Sequence, residues 1–307
     1  MLDQAIQCEG ASAGFMTSFK IPLYPDFTAL ETGARPILHP RFWALRPSIS
    51  EFTFANLYLF RGVHKYTVSL LPGGGLVIAG IDEGKSFFML PFALPGEGLL
   101  KELFNAFSLM KCVPEHYVEA LKKYGYSVAE DRANFDYLYS REELSSLSGR
   151  KFHRKKNLVN FFTWRYEHGE EPLTDERIGD ALSVLEAWRD GQDGPGDYEA
   201  AKEALVLCDE LQLCGGIYYA DGKPAAYILG EELNPETFVI HFEKGVSGVK
   251  GLLQFVNQSF ASILPPRYRL INREQDLGED GLRHAKESWQ PVGLVKKYRA
   301  TKNPQKI

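Results

Sequence analysis

The sequence is poor in cysteine and contains no long apolar run. Its four cysteines, Cys8, Cys112, Cys208 and Cys214, form no CxxC pair and have no histidines at zinc-ligand spacing. We therefore expect buried, inert thiols in a reducing compartment, with no metal site. No stretch approaches the roughly 18 uninterrupted apolar residues that a membrane-spanning helix needs. We accordingly expect no transmembrane segment, no secretory signal and a cytoplasmic location.

An excess of positive charge is also missing. The chain has 35 Lys and Arg against 40 Asp and Glu, a formal net charge of -5, which argues against a uniformly basic nucleic-acid binder. A hydrophobic content of 44% is ordinary for a folded globular protein. Because 307 residues exceed the usual size of one hydrophobic core, we expect two domains.

The second half of the chain alternates patterns of strand and helix period. We predict a strand near Trp164–Glu167, then two helices, three strands, a long helix, and a final strand, helix and strand. The order β-α-α-β-β-β-α-β-α-β matches the connectivity of the acetyltransferase superfamily fold. The later elements are predicted as helices at Asp175–Trp188, Tyr198–Leu211, Val249–Leu264 and Asp280–Ser288, and as strands in CGGIYYA, PAAYILGEEL, TFVIHFEK, RLINRE and Leu294–Arg299.

The first half repeats this order more loosely. We therefore predict an α/β fold with mixed sheets, built from two tandem acetyltransferase-like domains over residues 1–145 and 146–307. A single mixed α/β domain is the alternative. We expect the first domain to be degenerate and structural, since it shows no comparable charged constellation. Its elements are predicted as helices at Ser50–Tyr58, Glu97–Phe107 and Pro114–Tyr124, and as strands at Lys65–Leu71, Gly75–Ile81, Ser86–Leu90, Tyr126–Ala129 and Phe135–Tyr139.

A basic stretch, Gly149–Phe162, interrupts the acidic chain. Its apolar residues can dock one face of a helix while its cations face outward, which makes it a candidate contact for RNA phosphates. Such binding is salt-sensitive and largely independent of sequence. A solvated basic helix face is the alternative. The five cations lie within seven residues and are Arg150, Lys151, Arg154, Lys155 and Lys156.

A glycine-rich loop, HFEKGVSGVKG, leads from a predicted strand into a helix. Gly245, Gly248 and Gly251 leave backbone N–H groups at the helix start open to a phosphate, and Lys244 and Lys250 add positive charge. We interpret the loop as a phosphate or cofactor site, with acetyl-coenzyme A as the cofactor it would take. It lacks the strict Arg/Gln-x-x-Gly-x-Gly/Ala pattern of acetyl-coenzyme A binders, and ordinary turn glycines are the alternative.

Glu243 ends the strand that precedes this loop. A carboxylate at that position can accept a proton from an attacking amine or hydroxyl. His241 lies two residues earlier, so the two side chains share one strand face and one microenvironment. Glu243 is the stronger catalytic candidate, because a lone strand histidine is usually a core residue. A structural hydrogen-bond acceptor is the alternative for Glu243.

The run from Asn272 to Tyr298 is the most specific feature of the sequence. Together with the motif Gly-Arg-Lys-Phe-His-x-Lys-x-Asn at residues 149–157 and His-Phe-Glu-Lys at 241–244, it resembles the phosphatidylglycerol lysyltransferase C-terminal family over most of the chain. Within the run, the residues that carry the resemblance are Gly281-Leu282-Arg283, Lys286, Pro291 and Lys297-Tyr298.

The resemblance implies an acyltransferase that moves an aminoacyl group from charged tRNA to an unidentified acceptor. Membrane-bound members of the family act on a lipid hydroxyl, but Asn272–Asp276 resembles the stand-alone bacterial branch, which acts without their membrane-spanning half. In this interpretation Glu243 assists deprotonation, while Arg273, Arg283 and Lys286 converge on a phosphate or on the tetrahedral intermediate. The alternative for these cations is an ordinary ion-pair network with Glu274, Asp276 and Glu279.

Two other functions stay open at this point. One is a coenzyme A-dependent N-acyltransferase, which predicts saturable binding of acetyl-coenzyme A at the loop Gly245–Gly251. The other is a catalytically inactive module that binds RNA or an anion, which predicts RNA binding through the basic stretch without any transfer activity.

Overall fold

A computed structural model describes residues 19–303 except Asp193 and Pro195, so Cys8 lies outside the described residues. Its helices are α1 (Arg35–Leu45), α2 (Phe54–Leu59), α3 (Arg61–His64), α4 (Glu97–Ala106), α5 (Val118–Lys123), α6 (Arg141–Ser146), α7 (His153–Arg165), α8 (Ile178–Arg189), α9 (Tyr198–Val206), α10 (Cys208–Leu211), α11 (Leu252–Ile263) and α12 (Asp280–Glu287). Its strands are β1 (Thr28–Ala29), β2 (Thr67–Leu70), β3 (Leu76–Asp82), β4 (Lys85–Met89), β5 (Leu109–Pro114), β6 (Ser127–Glu130), β7 (Asp136–Ser140), β8 (His168–Pro172), β9 (Cys214–Ala220), β10 (Lys223–Asn234), β11 (Thr237–Gly245), β12 (Leu270–Asn272), β13 (Gly293–Val295) and β14 (Lys297–Thr301).

The chain forms two compact units, and each unit combines segments that are distant in sequence. What we call the N-terminal unit contains 19–136, Gln275–Arg283 and 294–303 of the described residues; the C-terminal unit contains Tyr137–Glu274 and His284–Gly293. The boundary predicted at residue 145 does not separate these units. The reason is strand pairing: β7 hydrogen-bonds to β12, and β14 lies between β5 and β6.

The C-terminal unit is organised around a seven-stranded mixed sheet of order β13-β7-β12-β11-β10-β9-β8. Strands β11 and β12 run parallel, whereas β7–β12, β10–β11, β9–β10 and β8–β9 are antiparallel. The β9–β10 hairpin turns at Asp221-Gly222, where both residues have positive φ, as the predicted Asp-Gly turn requires. The mixed α/β class predicted from the sequence is therefore confirmed.

Helices cover this sheet with their apolar faces. α11 packs against α6, α7 and β10, while α8 packs against β10 and β11. The apolar positions of α11 recur every three to four residues, so Leu252, Phe255, Val256 and Phe260 share one face and enter the core. This arrangement places the end of β11 directly beside α11.

The N-terminal unit contains a second seven-stranded mixed sheet, of order β1-β2-β3-β4-β5-β14-β6. Its core includes Val77, Phe88, Leu103, Met110 and Ala300, the last contributed by β14. Insertion of β14 as an inner strand explains why a segment near the end of the sequence is part of this core.

Most predicted helices and strands lie within a few residues of those in the structure, but several differ. The strand predicted near Trp164–Glu167 begins later, at His168 (β8), because α7 continues to Arg165. Helices α1, α3 and α6 and strands β1 and β5 were not predicted, and the helix predicted at Tyr198–Leu211 is divided into α9 and α10. The final predicted strand is divided into β13 and β14. Among the described residues, no helix is long and apolar enough to cross a membrane.

Candidate active site

The candidate site lies where two parallel strands of the C-terminal unit diverge. β11 and β12 pair only over Thr237–Val239 and Leu270–Asn272, whereas β11 remains paired with β10 as far as Gly245. His241 and Glu243 both lie on the part of β11 that extends beyond β12, and a β-bulge in the pairing with β10 falls at His241. The bulge interrupts the alternation from which the sequence predicted one shared face, and the two side chains have different partners.

Glu243 is held by two donors. Its Oε2 accepts a hydrogen bond from Arg273 Nη2 at 2.6 Å, and its Oε1 accepts one from Asn257 Nδ2 at 2.6 Å. Arg273 follows β12 and Asn257 lies on α11, so three elements converge on one carboxylate. The guanidinium and the amide orient Glu243 and keep it in one position.

The other terminal nitrogen of Arg273, Nη1, does not hydrogen-bond to Glu243. Nη1 is buried and has no hydrogen-bond partner among the described residues, although the side chain is 15% exposed overall. The guanidinium carbon lies 5.6 Å from the Tyr139 ring centroid and 5.8 Å from that of Trp289. A buried donor without a partner carries a desolvation cost, which a bound acceptor would offset.

Lys155 reaches the same aromatic surface from α7. Its Nζ lies 4.5 Å from the Trp289 ring centroid and donates to Ser288 Oγ at 2.7 Å. Burial and the positive charge of Arg273 lower the pKa of Lys155, while Glu243 opposes that shift. Arg273, Lys155 and Glu243 thus form a cluster beside the Trp289 ring that combines two cations with one carboxylate. This excess of positive charge favours binding of an anion or of a developing oxyanion.

His241 is clamped between two carboxylates other than Glu243. Its Nδ1 lies 2.8 Å from Glu274 Oε1, and its Nε2 lies 3.0 Å from Glu231 Oε1. Burial acts to lower the pKa of His241, but hydrogen bonds and charge from both carboxylates outweigh it and raise the pKa to about 10. Both ring nitrogens therefore donate, and His241 acts as a structural imidazolium, not as a base.

The three predicted cations of the C-terminal run do different things. Lys286 donates to the backbone oxygens of Arg273 and Glu274, the second at 3.1 Å, and so holds the chain that carries the Arg273 side chain. Arg283 belongs to the N-terminal unit and makes a bidentate contact with Asp276, at 2.9 and 3.1 Å. Of the three, Arg273 is the one whose charged group lies beside the Trp289 ring. The pocket of three converging cations that the sequence predicted is therefore not formed.

The glycine loop has the backbone conformation of a tight connection. Gly248 and Gly251 have φ near +82° and +85°, and a Cβ at Gly251 would lie 2.3 Å from the backbone oxygen of Leu158. Gly251 thus permits close packing of α11 on α7. Lys250 lies over the Phe161 ring at 4.7 Å from its centroid.

Lys244 points away from the glycine loop. It alternates with Glu243 along β11, is buried, and contacts Asp197 at 2.5 and 2.8 Å. Its Nζ also lies 3.8 Å from the Trp188 ring centroid. Lys244 is therefore part of a buried ion pair, and it does not add positive charge at the loop as the sequence had indicated.

The predicted RNA-binding cations are divided between two surfaces. Arg150, Lys151, Arg154 and Lys156 are exposed, whereas Lys155 turns inward. Lys151 is paired with Glu143 at 2.7 Å. The prediction of outward-facing cations therefore fits four of the five residues, and it is wrong for Lys155.

Sequence reasoning missed three members of the cluster: Tyr139, Asn257 and Trp289. Asn257 carries a usable signal, since it is a buried amide on the otherwise apolar face of α11. Trp289 lies within the C-terminal run but was not assigned a role, and Tyr139 lies on β7, which was placed in the other domain.

The chain is similar to a family of known proteins. A protein-family model described as phosphatidylglycerol lysyltransferase, C-terminal, matches residues 43–301. A crystal structure of a conserved protein of unknown function from Bacteroides thetaiotaomicron is 30% identical, has a TM-score of 0.81, and covers 90% of this chain and 99% of its own.

Two more distant similarities complete the comparison. The structure of L-PGS from Bacillus licheniformis is 14% identical, with a TM-score of 0.62 and coverage of 93% of this chain and 95% of that one. An uncharacterized protein of Mycoplasmoides gallisepticum is 25% identical over 184 residues, so this chain spans only 56% of the length of that curated relative. Two compact units, each with its own seven-stranded mixed sheet, agree with the predicted α/β class.

Proposed function

This chain belongs to the phosphatidylglycerol lysyltransferase C-terminal family, and on that premise we propose that it is an acyltransferase that moves an aminoacyl group from aminoacyl-tRNA to an acceptor. An aminoacyl ester is already activated, so no covalent enzyme intermediate is needed. What the reaction needs is a positioned ester, a positioned nucleophile and hydrogen-bond donors aimed at the oxyanion.

The observation that carries the proposal is the incompletely paired cation in the cluster. Arg273 Nη1 is buried without a partner, and the inward-turned Lys155 lies on the same Trp289 ring. In this role both side chains would donate hydrogen bonds to the carbonyl oxygen of the ester as that oxygen gains negative charge. Donors of this kind typically contribute a factor of about 10² to 10³ in rate.

The proposed reaction is a single acyl transfer. The nucleophile forms a bond to the ester carbonyl carbon and gives its proton to Glu243, whose oxygens retain lone pairs beyond the two hydrogen bonds they accept. The oxyanion then collapses, the bond to the ribose oxygen breaks, and that oxygen takes the proton back from Glu243. Lys286 contributes indirectly by holding the backbone at Arg273 and Glu274.

The test is a transfer assay with aminoacyl-tRNA carrying labelled amino acids. Hydroxylamine serves as a small surrogate nucleophile that yields an amino hydroxamate, and phosphatidylglycerol vesicles serve as the acceptor in a separate reaction. We expect the protein to accelerate hydroxamate formation above the protein-free rate, and Arg273→Met to reduce that acceleration about 100-fold because one oxyanion donor is lost.

Arg267→Met is the matched control, because Arg267 is an exposed arginine of the same unit that pairs with Glu232. It should keep the wild-type rate. Acetyl-coenzyme A replaces aminoacyl-tRNA in a parallel reaction. Acyl transfer from acetyl-coenzyme A alone, or no acceleration with any aminoacyl-tRNA, would overturn the proposal.

A further inference from the structure

One stripe of α7 is exposed along its whole length. His153, Asn157, Asn160 and Trp164 are spaced by four, three and four residues, which places them on one side of a helix over about 16 Å. All four are exposed, and Trp164 is 81% exposed. Trp is seldom so accessible, because burial of its ring is strongly favourable.

Positive charge borders this stripe on both sides. Residues 150–165 contain six Lys and Arg and no Asp or Glu, in a chain whose net charge is -5. Lys151 is neutralised by Glu143, and Lys155 turns inward. The remaining four are exposed and form no ion pair with a described residue; they are Arg150, Arg154, Lys156 and Arg165.

The chemistry of the stripe fits nucleic acid better than lipid. A helix that lies in a membrane interface buries a continuous apolar face, but the apolar residues of α7, such as Val159 and Phe162, already face the core. The outer stripe instead has one aromatic ring among amide and imidazole side chains. Cations for phosphates beside an exposed ring for a base are the elements of single-stranded nucleic-acid recognition.

We infer that this outer face of α7 binds the single-stranded end of an RNA, with Trp164 stacked on an unpaired base and the flanking cations on the phosphates. The inference rests on the proposed function, since the aminoacyl ester of a tRNA lies at a single-stranded end. Helix α7 also connects the two sites: its inner residue Lys155 donates to Ser288 within the candidate active site. Trp164 therefore acts as a binding residue at a distance from the reaction.

The experiment measures binding of a short fluorescent single-stranded RNA ending in CCA, and of the same sequence in a blunt duplex, to the full chain. Base stacking is worth about 1–3 kcal/mol, so Trp164→Ala should weaken single-strand binding about 5- to 150-fold. Trp164→Phe should retain most of the affinity. Arg154→Gln with Lys156→Gln should weaken binding of both RNAs, and for the single strand it should make the slope of log affinity against log salt shallower by about 1.4.

Trp43→Ala is the matched control, since Trp43 is a 53% exposed tryptophan of the N-terminal unit. This variant should bind the single-stranded RNA with the same affinity as the wild type. Equal thermal unfolding of the variants excludes misfolding as the cause of any loss. Wild-type affinity in Trp164→Ala would overturn the inference. So would binding of the wild type to phosphatidylglycerol vesicles, lost in Trp164→Ala, without any binding to RNA.

The inference and the proposed function can fail separately. If Trp164→Ala binds RNA normally while hydroxylamine transfer from aminoacyl-tRNA proceeds, the surface is wrong and the function stands. If RNA binding depends on Trp164 but no transfer occurs, the surface stands and the function fails.

Discussion

Each unit of the molecule buries a cation beside carboxylates, but the two clusters are satisfied to different degrees. In the N-terminal unit, Lys297 is fully buried and donates to Asp136 at 2.6 Å and to Glu51. In the C-terminal unit, Arg273 donates to Glu243 but keeps Nη1 without a partner among the described residues.

This difference separates a structural cluster from a candidate site. Burial alone would lower the pKa of Lys297, but Asp136 and Glu51 outweigh it and raise the pKa, so the lysine stays charged and fully paired. It lies on β14 and holds that strand within the N-terminal unit. A cluster with an open donor, by contrast, has a hydrogen bond left for a ligand.

The largest expected effect comes from breaking the fully paired cluster. Lys297→Met should leave Glu51 and Asp136 as two buried carboxylates without their cation, and should lower the free energy of unfolding by about 3–5 kcal/mol. Urea denaturation measures this loss. Lys296→Met is the matched control, because Lys296 is exposed and pairs with Glu130; it should change stability by less than about 1 kcal/mol. Similar values for both variants would contradict the comparison.

A somewhat smaller effect is expected at His241, a fully paired cation inside the C-terminal unit. Its pKa is raised from 6.5 to about 10, so its contribution to stability is complete below about pH 6.5 and is lost as the pH rises to about 10. His241→Gln should lower the free energy of unfolding by about 2–4 kcal/mol below pH 6.5. Urea denaturation across this pH range should show the two proteins converging at alkaline pH. A constant difference would show that the charge of His241 is not what stabilises the unit.

The smallest effect is expected at Lys155, in the open cluster, and it concerns rate. Lys155→Met should lower aminoacyl transfer about 10-fold, because one of two cations facing the oxyanion is removed. Since burial and Arg273 lower the pKa of Lys155, the wild-type rate should fall at a lower pH than an ordinary lysine would give. Lys155→Arg should keep its charge and move that fall to higher pH.

The pH–rate profile in the hydroxylamine assay measures both effects at Lys155. Lys223→Met, at an exposed position on β10, is the control and should match the wild type. An unchanged profile in Lys155→Arg would mean that Lys155 only supports the fold.

Local sequence patterns predicted the elements that carry the site. The alternating apolar residues of TFVIHFEK indicated a strand, and its period predicted His241 and Glu243 on one face. The same pattern could not indicate that His241 pairs with Glu231 and Glu274. Those partners depend on the register of β10 against β11 and on the path of the chain after β12.

The sequence by itself determined the mixed α/β class and the helical basic stretch, because these follow from short-range periodicity, and its motifs resembled those of the family. Only the tertiary structure decided which cations have partners within the protein. Lys155 turns toward Ser288, Lys244 is paired with Asp197, and Lys297 is enclosed by Glu51 and Asp136, all residues distant in sequence. Helix and strand periods set the relative directions of neighbouring side chains, but the partner that meets each charge is set by how distant segments pack.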